Sequence, residues 1–279
     1  MTTSTGVPEE NGHAATRLYL VRHGTTMLNR QNRYRGRRDV ALDEGGWSDA
    51  WGAARQLEQY DISAVYASPL RRARDTARVI ADAVGVEHVQ DHPGLVNLDY
   101  GDWEAFTADD ARAQNPEAFD GYQNFSPGAA CPGAETLEDA AQRILLTLRV
   151  MALMHPGETL AAVSHAAMVR LVITVGGNRP REQWRYALPN GSVTELDLYP
   201  ERLELPPSPE PAAGRASPGS GASPLPALST DDVTLLAAQV ALLNAAALLF
   251  GAQARRIGQP SVLGHIAAGV LIGPSGLGQ

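Results

Sequence analysis

The chain predicts an α/β protein with a mostly parallel central sheet and helices on both faces, followed by a linker and one or two hydrophobic C-terminal helices. Three observations carry this. Short apolar runs alternate with segments whose apolar residues recur at three and four spacing, the order that lays a sheet between helices. This alternation fills 17–199, whereas 200–230 is Pro, Ser, Gly and Ala without a packable face and reads as a linker. Beyond it, 233–254 holds no charged residue, and about 20 apolar residues are enough to span a bilayer as a helix.

Each element follows from its own pattern. Residues 1–16 are polar with two glutamates, which predicts a disordered tail and not a secretory signal. RLYLVR (17–22), ISAVYAS (62–68) and LAAVS (160–164) are short and largely apolar, as strands covered on both faces must be. SVTELDL (192–198) is a fourth strand. Helical spacing marks 47–60, 69–84, 137–154 and 165–175. The stretch 231–279 reads as a hydrophobic segment, with membrane contact expected through 233–279. A polar break at Gln239 or Asn244 also fits a buried amphipathic helix.

Composition removes several classes of function. With 44% apolar residues and a net charge of -8, the chain suits an acidic folded body and not general nucleic-acid binding, which needs a basic surface. The 23 basic side chains are all arginine. Without lysine there is no Walker phosphate loop and no Schiff-base chemistry. The single cysteine, Cys131, excludes an internal disulfide. No Cys and His spacing or two-metal carboxylate cluster is visible, so neither metal nor cofactor is expected.

Chemistry collects where strands end. LYLVR runs straight into His23 and Gly24, YASPL into Arg71 and Arg72, and LAAV into Ser164 and His165, while LVNLDYGDWE adds carboxylates in a loop. In open α/β sheets ligands bind at the carboxyl edge of the strands, so His23, the 68–72 segment and His165 are expected to line one pocket. Two imidazoles with at least two guanidiniums suit a phosphate dianion, which takes bidentate hydrogen bonds from arginine. Helix amino ends after Gly24 and Ser68 would add backbone donors. A neutral imidazole in reach of phosphorus is a nucleophile, and its product is a phosphohistidine. His13, His88, His92, His155 and His265 lack such company and read as structural. Trp103 reads as packing.

In this combination the chain resembles the histidine phosphatase superfamily, the phosphoglycerate mutase-like group, and is similar to its bacterial α-ribazole and broad-specificity phosphatases. The ordered set LVRHG with Asn29, YASPLRRARDTA, LVNLDYGDWE, VSHAAMVR and LPNGSVTEL carries the likeness over 17–198. It implies the phosphoglycerate mutase-like fold and hydrolysis of a small-molecule phosphomonoester through phosphohistidine. By this likeness the nucleophile is His23 and the second pocket histidine His165. Arg22, Asn29 and Arg72 hold the phosphate, with Arg72 preferred to Arg71 by register.

The chain departs from that group twice. Where the family usually has a general-acid glutamate, this sequence has Asn97, and an amide donates no proton in general acid catalysis. Asp99 is expected to take over, with Asp102 and Glu104 as alternatives. Otherwise the enzyme favours leaving groups that need little protonation, or turnover is lost. Arg35 replaces a frequent glutamine in a loop with five arginines between Arg30 and Arg38. That loop reads either as a second anion subsite or as a solvated charged surface.

The C-terminal ARRIGQPSVLGHIAAGVLIGPSGLG is similar to the start of monovalent cation:proton antiporters, which implies a fused or truncated gene. A cytoplasmic catalytic domain with a membrane-associated tail is expected, although Arg255 and Arg256 follow the span in the sense that the positive-inside rule would place cytoplasmically. The alternative function is a membrane-tethered phospho-ligand sensor linked to such a transporter. A mutase is weaker, because the chain lacks the longer insertions of true mutases.

Overall fold

The computed structural model describes residues 9–10, 13–181 and 184–205. Eight strands lie in it: β1 (Glu9–Glu10), β2 (His13–Ala14), β3 (Thr16–Arg22), β4 (Ala64–Ala67), β5 (Val89–Asp91), β6 (Thr159–Ser164), β7 (Val193–Leu198) and β8 (Leu203–Glu204). The last six form one sheet in the order β5-β4-β6-β3-β7-β8. The strands β5, β4, β6 and β3 are parallel, and β7 runs antiparallel to β3. The sheet is therefore mostly parallel, as expected, in four of its six strands, and mixed as a whole because β7 and β8 pair antiparallel. The reason is visible in β7 itself. Its Val193, Leu196 and Leu198 are interleaved with Thr194, Glu195 and Asp197, the broken pattern of an antiparallel strand near an edge.

Strand β3 shows why both faces must be covered. Leu18 and Leu20 enter one buried cluster, with Ile144, Leu148 and Met168. Tyr19 and Val21 enter the other, with Ala50, Leu57, Ala77 and Ile80. Side chains alternate across a strand, so one sequence feeds two cores. On the second face lie α2 (Glu44–Leu57) and α3 (Arg71–Val84), preceded by the short α1 (Met27–Arg30). The first face takes α6 (Leu137–Met154) and α7 (Ala166–Leu171), after α4 (Ala108–Gln114) and α5 (Pro116–Asn124).

Helix ends follow their capping chemistry. Helix α2 begins before its expected start because Asp43 caps it, accepting from Gly46 N at 2.9 Å. Helix α3 begins at Arg71, since Leu70 is extended. Helix α7 passes into a π-helical turn at Val172–Gly176.

Two boundaries differ from expectation. The segment read as a disordered tail contains β1 paired with β2, Glu9 opposite Ala14. The domain also runs past Tyr199, because Leu203 pairs with Leu198 and extends the sheet. Among the described residues no helix is long and apolar enough to cross a membrane. The hydrophobic segment 231–279, its antiporter-like pattern, its membrane contact and most of the linker lie outside the described residues.

Candidate active site

Parallel pairing brings the strand ends to one edge. Arg22 pairs with Ser164 and Ala67 with Val163, so His23, Ser68 and His165 each follow a neighbouring strand. The ladder continues one residue further, with His23 N donating to Ser164 O at 3.0 Å. The two imidazole rings then stand edge to face, 5.1 Å between centroids. Both side chains are buried, at 1% exposure.

Hydrogen bonds define the His23 tautomer. Its Nδ1 lies 2.6 Å from Gly24 O, which only accepts, so Nδ1 carries the proton. Its Nε2 is the unprotonated nitrogen and accepts from Arg72 Nε at 3.2 Å, and the ring lines the cavity. Burial first, then Arg72, Arg22 and Arg35, hold the His23 pKa well below its ordinary 6.5. His165 is depressed likewise, by burial, then Arg72 and His23. Its Nε2 meets Ser68 Oγ at 2.8 Å, while its Nδ1 is buried without a partner.

The guanidiniums are held by carbonyls. Arg72 is fully buried and donates to Arg38 O at 2.7 Å and Gly36 O at 3.0 Å. Arg22 donates to Leu188 O, and its Nε is buried without a partner. Burial lowers Arg22 to about 10 and Arg72 to about 9. Both remain far above neutral, so both stay charged.

The glycine after His23 has a packing cause. A Cβ at Gly24 would collide with the Gly46 carbonyl of α2, and one at Gly46 with Thr25 O. The anticipated free backbone donors are otherwise engaged. Gly24 N donates to Thr76 Oγ1 at 3.1 Å, Thr25 N to Asp49 at 2.9 Å and Arg71 N to Asp39 at 2.6 Å.

A cavity of about 320 Å³ opens beside these groups, lined among others by His23, Tyr34, Arg35, Asn97, His165, Arg170 and Arg185. Among the described residues that line it there is no carboxylate. Asn97 is buried, donating from Nδ2 to Gly36 O at 3.0 Å, and its Oδ1 has no partner. Asp99 faces elsewhere. Its carboxylate accepts from Gly101 N at 2.9 Å and pairs with Arg37 at 3.2 Å. Glu104 accepts from Arg37 N at 2.5 Å, and Asp102 does not line the cavity either. Asn29 is a capping residue, its Oδ1 accepting from Thr26 N at 3.1 Å and Thr26 Oγ1 at 2.8 Å. Thus His23, His165, Arg22 and Arg72 come together, while Asp99 stands apart and the Asn29 oxygen is turned to its own helix.

Ser68 was expected at the pocket as the start of the 68–72 segment, whereas Tyr34, Arg170 and Arg185 were not singled out from the sequence. Arg170 had the only local cue, five residues after His165 on the same helix. Among the described residues no group of three His, Cys, Asp or Glu side chains is placed to hold a metal. His92 accepts from Gly94 N at 3.1 Å and His155 bonds Tyr66 and Glu158, both at 2.8 Å, so these two are structural. Trp103 is fully buried and packs on Phe119.

A family model described as histidine phosphatase superfamily (branch 1) matches residues 18–206. The chain belongs to this superfamily. Proteins similar to it include a bifunctional protein of Mycobacterium tuberculosis, 35% identical over 159 residues, 57% of this chain and 43% of that protein. The chain thus spans less than half the length of that relative. A probable phosphoglycerate mutase of Erwinia tasmaniensis is 32% identical over 181 residues, 64% of this chain and 84% of that one. Among solved structures, a mycobacterial glucosyl-3-phosphoglycerate phosphatase complexed with VO3 shares 27% identity and a TM-score of 0.62, covering 68% of this chain and 97% of that one.

Proposed function

We propose that this histidine phosphatase superfamily domain hydrolyses a small phosphomonoester through a phosphohistidine at His23. The observation that supports it most is the neutral His23 ring on the cavity wall, with Arg72 Nε 3.2 Å from its Nε2 and His165 beside it. Bound phosphate sits between Arg22, Arg72 and His165, with the Asn29 amide NH2 as a further donor. As Arg72 Nε shifts its hydrogen bond from His23 Nε2 to a phosphate oxygen, the freed Nε2 lone pair attacks phosphorus, the P–N bond forms, and the ester P–O bond breaks in line with it. Positive charge from the guanidiniums stabilises the equatorial oxygens as that charge redistributes. Water then attacks phosphorus, the P–N bond breaks, and inorganic phosphate leaves with His23 neutral again.

The leaving oxygen is the distinctive point. With Asn97 in place of a carboxylic acid and Asp99 tied to Arg37, it departs as a weakly basic oxyanion or takes its proton from solvent. Esters of acidic alcohols and phenols are therefore the better substrates. The glucosyl-3-phosphoglycerate phosphatase likeness is consistent with a small organic phosphate as substrate.

Hydrolysis of p-nitrophenyl phosphate by the purified chain and by His23→Ala tests the proposal. Turnover in the first and a loss of about a thousandfold or more in the second is the expected result. A chain that binds inorganic phosphate but releases none from this activated ester would be a phospho-ligand sensor instead.

A further inference from the structure

The phosphate-binding pair accounts for only part of the positive charge around the cavity. Arg22 and Arg72 flank His23 and together balance a phosphate dianion. Arg33 is occupied, donating to Ala105 O at 2.6 Å and standing 3.9 Å from Asp110. Three guanidiniums on the lining remain: Arg35, Arg170 and Arg185.

Each is placed to wait for an anion. Arg35 donates from Nη1 to Arg33 O at 2.8 Å, but its Nε is buried without a partner. Arg170 has a buried Nε in the same state and lies over the Tyr186 ring at 5.9 Å. Arg185 lies over the Tyr122 ring at 5.6 Å. Stacking fixes a guanidinium plane and leaves its edge free for planar recognition of an acid group. None of the three forms an ion pair with a carboxylate among the described residues.

The basic loop divides accordingly. Arg30 pairs with Asp43, Arg37 with Asp99 and Glu135, and Arg38 with Glu104, so these three belong to the solvated surface. Arg33 and Arg35 line the cavity, and of the two Arg33 is held by Ala105 O and Asp110. Buried like charges left unmatched are costly, and Arg35 and Arg170 both depress the Arg22 pKa, which places them within one field.

We propose that Arg35, Arg170 and Arg185 form a second anion subsite, so that the preferred substrate is a phosphomonoester carrying a further acidic group, a carboxylate or a second phosphate. This rests on the phosphatase reading and specifies its substrate class. The phosphate enters at His23, and the second acid reaches the guanidiniums at the other side of the cavity.

Matched pairs on the full chain test it: 3-phosphoglycerate against glycerol 3-phosphate for a carboxylate, and fructose 1,6-bisphosphate against fructose 6-phosphate for a phosphate. The expected result is that kcat/KM favours the acid-bearing member of at least one pair by about tenfold or more, the worth of one charge-assisted contact. The pair that shows the preference names the second acid. Arg170→Gln and Arg185→Gln bring that ratio back toward one, and Arg35→Gln replaces either variant that does not fold. Calorimetric binding of the same four compounds to His23→Ala reads the same ratio without turnover. Equal affinity within both pairs, or a preference that survives all three arginine variants, overturns the subsite and leaves the phosphatase reading intact. Failure on p-nitrophenyl phosphate with the binding preference present overturns the latter and not the former.

Discussion

At Asn97 an amide stands where the family resemblance leads one to expect a proton donor, and its contacts say what it does instead. Its NH2 supports Gly36 O at 3.0 Å, the same carbonyl that receives Arg72 Nη2. Asn97 thus steadies the loop that holds Arg72, and its unpartnered oxygen borders the cavity. Asn97→Glu removes that donor but places a carboxyl group at the cavity wall, and Gly36 O keeps the Arg72 bond. The expected outcome is a rise of about tenfold or more in kcat/KM for alkyl phosphates relative to p-nitrophenyl phosphate, read as the ratio of the two, since general acid catalysis contributes about a hundredfold or more. An unchanged ratio would show that protonation of the leaving group does not limit turnover. The imidazoles and Arg22 and Arg72 were legible because strand-end motifs mark them. Asp99 was misleading, since sequence proximity to Asn97 says nothing about Arg37 and Gly101, which hold its carboxylate. Arg185 was illegible because only tertiary packing brings it to the cavity, and Arg170 had no cue beyond its place five residues after His165.

His23, the proposed nucleophile, is only as well placed as the elements around it. Strand β3 delivers His23, and α2 crosses so close that Gly24 and Gly46 meet backbone to backbone. Gly46→Ala would normally favour a helix by about 1 kcal/mol. Here the new methyl strikes Thr25 O, a backbone atom that cannot rotate away. The net expectation is destabilisation of about 1–3 kcal/mol, measured as a lower urea midpoint, with a fall in kcat because the loop after His23 is displaced. An unaltered midpoint would mean that the α2 approach is slack. Long periodic elements such as α6 and strongly apolar strands such as β3 and β6 were readable before the fold was known. Strands β5 and β8 were not, because three and two residues carry no periodicity. Helices α4 and α5 depend on the Thr107 and Asn115 caps more than on an apolar stripe.

For the molecule as a whole, two buried neutral imidazoles among guanidiniums make stability depend on pH. The folded pKa of His23 and of His165 lies well below the 6.5 of an exposed histidine. Below about pH 6.5 the unfolded chain therefore binds protons that the folded chain refuses, and stability falls as pH falls toward the folded values. Each histidine contributes a slope of up to about 1.4 kcal/mol per pH unit in that window. Urea unfolding at pH 7 and pH 5 is expected to show this loss, and His165→Gln to reduce it by about 2 kcal/mol. A variant with the wild-type slope would place the proton uptake elsewhere.

The same cluster of charge and imidazole defines the chemistry, and a covalent phosphoryl group on nitrogen is its most direct trace. Rapid acid-free quenching of the chain with an activated phosphomonoester, followed by peptide mass spectrometry, reads that bond. The expected result is a mass gain of one phosphoryl group on the peptide holding His23, lost on mild acid treatment and absent in His23→Ala. Steady hydrolysis with no such adduct at any quench time, or an adduct on another residue, would contradict it.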